Sequence, residues 1–163
     1  MTASVVDTNV LLVANGANDK ANAEPGAACR LSAIDSLVEV TERHTLMLDR
    51  GDEILDEYKK KCNYSGQPGV GDQFFRWAHQ NAASLTAVEL TVHPNRRFTE
   101  FPDDPRLAPF DWDDRVFVAV AVAGPTPNRI LNAVDSDYRN HQHALQQAGV
   151  TVEELCPSLL TGP

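Results

Sequence analysis

Short apolar runs alternate with longer amphipathic stretches along most of this chain. Runs rich in aliphatic and β-branched residues predict strands at residues 4–8, 45–48, 86–92, 130–134 and 150–152. Apolar positions at helical spacing predict helices at residues 25–43, 49–62, 72–83, 116–122 and 136–148. Strands that alternate with helices in this way indicate a parallel sheet with helices on both of its faces.

The connecting stretches are predicted as loops because they are rich in Gly, Pro, Asn and Asp. Residues 15–24 and 63–71 are the shorter ones, and residues 94–110 form a long irregular segment with four prolines. This segment also carries Phe98, Phe101, Leu107 and Phe110. These side chains either anchor a protein partner or fold back onto the core, and the sequence favours neither. Without an internal repeat or a linker, residues 1–163 are predicted to form one domain.

Composition and charge narrow the class of protein. An apolar content of 42% fits a soluble globular chain, and we find no run long enough to span a membrane and no secretory signal. A net charge of −9 argues against tight, passive binding to nucleic acid, yet an acidic metal site would itself account for several negative charges. Local basic groups occur at residues 59–61, 96–97, 106 and 115.

The three cysteines are Cys29, Cys62 and Cys156, which are far apart and odd in number. This spacing predicts neither a zinc site nor a disulfide framework. A reducing cytoplasm is therefore the expected compartment.

Acidic residues occur where the predicted strands end. Asp7 follows the first strand, and Asp135 follows the strand at residues 130–134. The carboxyl ends of parallel strands meet at one edge of a sheet, so these two carboxylates are expected to converge. Carboxylates that converge repel each other unless a proton or a cation lies between them, and a hard cation such as Mg²⁺ suits an all-oxygen site.

Each acid also has an ordinary structural interpretation. Asp7 can cap a helix, in which case Thr8 and Asn9 belong to its first turn; alternatively, those two residues orient Asp7 as a metal ligand. If the strand persists, Asp135 and Asp137 face the same side and both can reach one ion. Asp137 can instead cap the following helix.

Two further acids complete the candidate set. Glu57 lies at the border of the apolar face of the helix at residues 49–62, and its alternative role is an exposed ion pair with Lys60 or Lys61. Asp114 is the innermost of three acids that precede the apolar helix at residues 116–122. A charge at the edge of the core is unfavourable unless it binds something.

With these positions in place, the chain resembles PIN-domain ribonucleases. Four motifs in the family's order carry the resemblance: Val5-Val6-Asp7-Thr8-Asn9, Glu53-Ile54-Leu55-Asp56-Glu57-Tyr58, Asp114-Arg115-Val116-Phe117, and Asn132-Ala133-Val134-Asp135-Ser136-Asp137-Tyr138. The resemblance implies a three-layer α/β/α sandwich with a central parallel sheet. It also implies metal carboxylates at Asp7, Glu57, Asp114 and Asp135, with support from Thr8, Asn9 and Asp137. Ala133 departs from the family, whose members often have Thr or Ser there.

The function expected from these features is a Mg²⁺- or Mn²⁺-dependent endoribonuclease, and DNA is not excluded as a substrate. Arg115 or residues 59–61 would contact the phosphate backbone, although a solvated charged face is the stronger interpretation of the lysines. The resemblance extends to toxins held by an antitoxin or another protein partner, to defence nucleases and to homo-oligomers. The alternatives are a non-cutting module that binds RNA or protein, and a phosphatase of the haloacid dehalogenase type, which requires an Asp where Asn9 stands.

Overall fold

The described part of the chain contains seven short strands. The computed structural model describes residues 1–16 and 26–159, and all structural statements here concern those residues. The strands are β1 (Ala3–Val6), β2 (Met47–Asp49), β3 (Thr86–Val88), β4 (Val92–His93), β5 (Arg97–Phe98), β6 (Asn128–Asn132) and β7 (Val152–Glu154). The five strands predicted from the sequence are all present, but the strand predicted at residues 86–92 is divided between β3 and the start of β4. Strand β5 lies in the segment that was predicted to be a loop.

The helices also follow the predicted order. They are α1 (Thr8–Ala14), α2 (Ala27–Arg43), α3 (Glu53–Lys61), α4 (Val70–Asn81), α5 (Arg115–Ala123), α6 (Ser136–Asn140) and α7 (Gln142–Gln147). The loop predicted at residues 15–24 lies mostly outside the described residues. The single helix predicted at residues 136–148 is instead broken at His141, where the backbone leaves helical geometry (φ −114°, ψ 16°).

Parallel pairing brings the ends of β1 and β6 side by side. β1 pairs with β6 in a register that places Val5 beside Ile130, and β6 pairs with β7 on its other side. β2 pairs with β3, and a bridge between Ser4 and Leu46 places this second pair next to β1. All of these pairs are parallel, as predicted, whereas β4 and β5 form an antiparallel hairpin. Any residue that follows β1 or β6 therefore lies at the same edge of the sheet.

Helix α5 packs against β1, β2 and β6. Its residues from Val116 to Val120 are fully buried or nearly so, which explains why the sequence is apolar on every side of this helix. The predicted burial of this segment is confirmed. The first turn of α5 thereby places Asp114 next to the edge where β1 and β6 end.

Helix α1 contacts α2, α3 and α4, and α4 also contacts α2 and α3. The approach of α4 to α1 is close enough that a Cβ atom on Gly71 would lie 2.0 Å from the carbonyl oxygen of Leu11.

Helix α3 begins at Glu53 and not at Asp49, because the carboxylate of Asp49 accepts hydrogen bonds from the backbone N–H groups of Glu53 (3.0 Å) and Ile54 (2.9 Å).

The segment at residues 94–110 folds back onto the core. Phe98, Phe101, Leu107 and Phe110 are at most 3% exposed. The interpretation of these side chains as anchors for a protein partner is therefore wrong, and the alternative holds. Burial of four large apolar side chains is also a sufficient reason for the segment to keep one conformation.

The side chain of Arg115 binds the backbone of the segment at residues 94–110. Its guanidinium donates to the carbonyl oxygens of Ala108 (2.9 Å) and Phe110 (3.1 Å) and lies 4.4 Å from the ring centre of Phe101. Only 4% of the residue is exposed. This buried position contradicts the predicted contact between Arg115 and a substrate phosphate, because the guanidinium N–H groups already donate hydrogen bonds to backbone carbonyl oxygens.

Replacing Arg115 with Met should lower the free energy of unfolding by about 3 kcal/mol, because several buried carbonyl groups lose their donor. Urea unfolding measures the change. Arg106→Met is the control: its side chain lies at the surface and pairs with Asp104, so only a small loss is expected. Equal losses in the two variants would show that the buried guanidinium does not hold the segment.

A disulfide joins Cys29 in α2 to Cys156, two residues after β7. The prediction that the cysteines form no disulfide is wrong, because the fold brings together two residues that are 127 positions apart. The argument for a reducing compartment depended on unpaired cysteines and no longer holds. Cys62 keeps a free thiol, and burial raises its pKa to about 12.

Within the described ranges 1–16 and 26–159, no helix combines the length and the apolar character that crossing a membrane requires.

Candidate metal centre

Asp7 occupies the junction between β1 and α1. Its Oδ1 accepts hydrogen bonds from the backbone N–H of Asn9 (2.9 Å) and from Asn9 Nδ2 (2.8 Å), and its Oδ2 accepts one from the hydroxyl of Tyr138 (2.6 Å). Asp7 is thus the N-cap of α1, as the structural interpretation proposed. The same bonds fix both carboxylate oxygens in place.

Asn9 ties the end of β1 to the end of β6. Its Nδ2 also donates to Asn132 Oδ1 (2.9 Å), and its Oδ1 accepts from the backbone N–H groups of Ala133 (2.8 Å) and Val134 (3.3 Å). The expected support of Asp7 by Asn9 is present in these contacts. Because every polar atom of this buried amide is used, the distance between the two strand ends has little freedom.

Asp135 is held in the turn that follows β6. Its backbone N–H donates to Asn132 Oδ1 (3.2 Å), and its carbonyl accepts from Asn132 Nδ2 (2.8 Å). Its own Oδ1 accepts from the backbone N–H of Asp137 (3.0 Å) and so caps α6. Asp135 is 2% exposed. A buried carboxylate of this kind is stable as an anion only when polar or charged groups compensate for the lost hydration.

Three carboxylates converge at this point. Asp7, Asp114 and Asp135 each offer an oxygen, and these oxygens lie within 4.8 Å of one another. Asp7 and Asp135 are buried, and Asp114, the N-cap of α5, is half-buried. Carboxylate oxygens at this spacing are able to hold a metal ion, and an all-oxygen donor set fits Mg²⁺ or Mn²⁺.

A cavity of about 230 Å³ opens beside the three carboxylates. Thr8 lines it, and the buried Oγ1 of Thr8 has no hydrogen-bond partner within the described part of the chain. A buried hydroxyl without a partner is rare in native proteins. Thr8 therefore does not hydrogen-bond to Asp7, contrary to the prediction.

Glu57 lies on the wall of the same cavity but outside the group of three. Its Oε1 accepts a hydrogen bond from Lys60 Nζ (2.9 Å), and its side chain is 15% exposed. Both interpretations of Glu57 thus hold in part: it borders the crevice, and it forms the local ion pair. Asp56 on the same helix is exposed, as the helical face predicts.

Asp137 does not join the group. Because β6 ends at Asn132 and α6 begins at Ser136, residues 135 and 137 do not share a direction, and the prediction that depended on a continuing strand is wrong. The carboxylate of Asp137 accepts from the backbone N–H of Asp111 (2.9 Å) and lies 3.3 Å from His141 Nδ1. Asp137 therefore links α6 to the segment before α5.

Tyr138 is a site residue that the sequence did not reveal. It is 1% exposed, and burial, together with the nearby negative charges of Asp7 and Asp114, raises the pKa of Tyr138 well above its ordinary value. The phenol therefore stays protonated and donates to Asp7. The only sequence signal is its position three residues after Asp135, in the first turn of a helix, where an aromatic ring points back toward the helix start.

A comparison of the chain with models of protein families, with curated proteins and with solved structures found no significant match.

Proposed function

We propose that this chain is a Mg²⁺- or Mn²⁺-dependent endoribonuclease with the three-layer α/β/α architecture of PIN domains. The observation that carries the proposal is the convergence of Asp7, Asp114 and Asp135 beside a cavity lined by Thr8. The resemblance of the four acidic motifs adds Glu57 as a fourth carboxylate. It also extends the proposal to toxin or defence nucleases that act on RNA and are restrained by a protein partner.

Each residue has a defined task in this proposal. Asp7, Asp114 and Asp135 hold the cation, while Asn9 and Tyr138 orient Asp7 by donating to it. Glu57 and Thr8 face the cavity, where they orient water and the scissile phosphate. A divalent cation supplies Lewis-acid activation of water and neutralises phosphate charge. Because this chemistry does not use the 2′-hydroxyl, the expected products carry 5′-phosphate and 3′-hydroxyl ends.

Cation binding should raise the melting temperature, because the cation binds the folded chain and not the unfolded one. At about 100 times its Kd, Mn²⁺ should stabilise the fold by about 2.7 kcal/mol, or roughly 5–10 °C. Asp114→Asn should abolish this rise. Asp114 is preferred to Asp7 for the test, because Asp7 also caps α1 and binds Tyr138. Differential scanning calorimetry with and without Mn²⁺ measures both values.

The control is Asp103→Asn, since Asp103 is 84% exposed and lies outside the three-carboxylate group. This variant should keep the full rise. An undiminished rise in Asp114→Asn would refute the site. A normal rise in the wild type without any RNA cleavage would favour the non-cutting module.

A further inference from the structure

The side-chain amide of Asn132, at the end of β6, holds both of the acids that follow β1 and β6. Its Oδ1 accepts a hydrogen bond from Asn9 Nδ2 (2.9 Å), and Asn9 Nδ2 also donates to Asp7 (2.8 Å). The same Oδ1 accepts from the backbone N–H of Asp135 (3.2 Å), while Asn132 Nδ2 donates to the carbonyl oxygen of Asp135 (2.8 Å). The position of one buried amide therefore affects the positions of Asp7 and Asp135 together.

Glu154 in β7 contacts this amide from the neighbouring strand. Its Oε2 accepts a hydrogen bond from Asn132 Nδ2 at 2.7 Å. The parallel register pairs Glu154 with Asn132, so the two side chains are neighbours across the ladder. The backbone N–H of Leu155 donates to the carbonyl oxygen of Asn132 (2.8 Å) and joins the two strands at the same point. Glu154 is thus held where it can bind the Asn132 amide.

The hydrogen bonds of Asn132 determine which end of its amide faces each neighbour. The two ends are similar in shape, but the oxygen accepts hydrogen bonds and the nitrogen donates them. An ionised carboxylate only accepts, so Glu154 binds the Nδ2 end. If the amide turned over, its oxygen would face the Glu154 carboxylate, and its nitrogen would face Asn9 Nδ2, another donor. The carboxylate of Glu154 therefore stabilises the orientation in which Asn132 accepts from Asn9.

This orientation in turn affects the contact between Asn9 and Asp7. Asn9 Oδ1 accepts from the backbone N–H groups of Ala133 and Val134, so Asn9 Nδ2 faces Asp7 and Asn132. A misoriented Asn132 would place a donor against Asn9 Nδ2 and would displace it from the Asp7 carboxylate. The hydrogen bonds from β7 to the end of β1 thus form one connected network, in which each orientation depends on the next.

The neighbouring acid in β7 has no such contact. The side chain of Glu153 is 45% exposed and forms an ion pair with Arg129. Glu154 is instead half-buried, and burial raises its pKa, while the hydrogen bond from Asn132 and the charge of Arg139 oppose that shift. The Asn132 amide thus compensates the Glu154 carboxylate for part of its lost hydration. The two adjacent acids therefore provide a test residue and a matched control.

We infer that Glu154 is a positioning residue of the metal centre, which acts through Asn132 to set the distance between the acids that follow β1 and β6. The inference rests on the proposed function, which supplies the cation, and it adds a residue outside the four acidic motifs. Glu154 lies outside the three-carboxylate group. Groups that orient metal ligands in this way commonly change metal affinity by roughly 10- to 100-fold when they are removed.

Isothermal titration calorimetry with Mn²⁺, at about 0.15 M salt and without RNA, tests this role. Glu154→Leu removes the acceptor for Asn132 and should raise the Kd for Mn²⁺ by about tenfold. Glu154→Gln removes the same charge but can present its amide oxygen to Asn132, so its Kd should stay within about threefold of the wild-type value. A purely structural role of Glu154 would lower the melting temperature without cation and leave the Kd of the folded chain unchanged.

Glu153→Leu is the matched control. It removes one negative charge from the same strand and leaves the contact with Asn132 intact, so its Kd should stay within about twofold of the wild-type value at this salt concentration. In the Asn132→Ala background, Glu154→Leu should change the Kd by less than about twofold, because Glu154 acts through Asn132. If Asn132→Ala does not fold, the comparison of Leu with Gln at position 154 decides by itself.

An unchanged Kd in folded Glu154→Leu would overturn the inference, as would equal losses in Glu154→Leu and Glu154→Gln, which would indicate an effect of charge alone. Failure of the proposed nuclease looks different. A chain that binds Mn²⁺, loses affinity in Glu154→Leu and cleaves no RNA keeps the positioning role and loses the nuclease. A chain that cleaves RNA but binds Mn²⁺ equally in the wild type and Glu154→Leu keeps the nuclease and loses the positioning role. A wild-type chain that binds no Mn²⁺ overturns both.

Discussion

Replacing Asp114 with Asn is expected to slow Mn²⁺-dependent RNA cleavage by on the order of a hundredfold or more, the effect of removing one preorganised charged group from an active site. Asp114 is one of three converging carboxylates, and it lies on α5, a helix buried against the sheet. An amide of the same size preserves packing and removes the charge. Single-turnover cleavage of a labelled RNA with saturating Mn²⁺ measures the loss.

Asp111→Asn and Asp113→Asn are the matched controls. Both residues line the same cavity and are exposed, but neither belongs to the group of three. Each variant should keep most of the wild-type rate.

Glu57→Gln separates the two roles of Glu57: a loss similar to that of Asp114→Asn indicates a ligand or water-positioning role, and a nearly normal rate indicates the ion pair with Lys60 alone. Comparable losses in all four variants would contradict a defined three-carboxylate centre.

Removal of the disulfide is expected to have the largest effect on stability. The bond between Cys29 and Cys156 closes a loop across nearly the whole chain. Cys156→Ser should lower the free energy of unfolding by about 3–5 kcal/mol and the melting temperature by roughly 10 °C, because the unfolded chain regains conformational freedom. Urea unfolding without reductant measures the difference.

Reduction of the wild-type chain with dithiothreitol should give nearly the same loss, and it should leave Cys156→Ser unchanged. Cys62→Ala is the control, since Cys62 is a half-buried free thiol, and it should cost less than about 1 kcal/mol. A wild-type chain whose unfolding midpoint does not respond to reductant would show that the two cysteines are not bonded in solution.

The positions of Asp7 and Asp135 follow from the sequence because each directly follows an apolar strand. Parallel strands place their carboxyl ends at one edge of the sheet, so two local patterns are enough to predict that these acids meet. Asp114 follows from a similar argument, since an acid that precedes a fully apolar helix must lie near the core. These predictions depend on periodicity, which is a local property of the chain.

Glu57 and Asp137 show the limit of that reasoning. A helical wheel places Glu57 at the border of a buried face, but it does not determine whether the carboxylate turns toward the other acids or toward Lys60, one turn away. The prediction for Asp137 failed because β6 ends three residues before Asp135, and element boundaries are set by hydrogen bonds such as those of Asn132.

The sequence by itself determined the alternating α/β order, the parallel pairing and the acids at the strand ends, because these depend on the spacing of apolar residues along the chain. Only the tertiary structure decided the Cys29–Cys156 bond, the burial of Arg115 beneath the segment at residues 94–110, and the hydrogen bond from Tyr138 to Asp7. Each of these contacts joins elements that pack together only after the sheet has formed. The residues that meet in each contact are determined by how these elements pack in three dimensions. The local pattern of apolar and polar residues does not determine that packing.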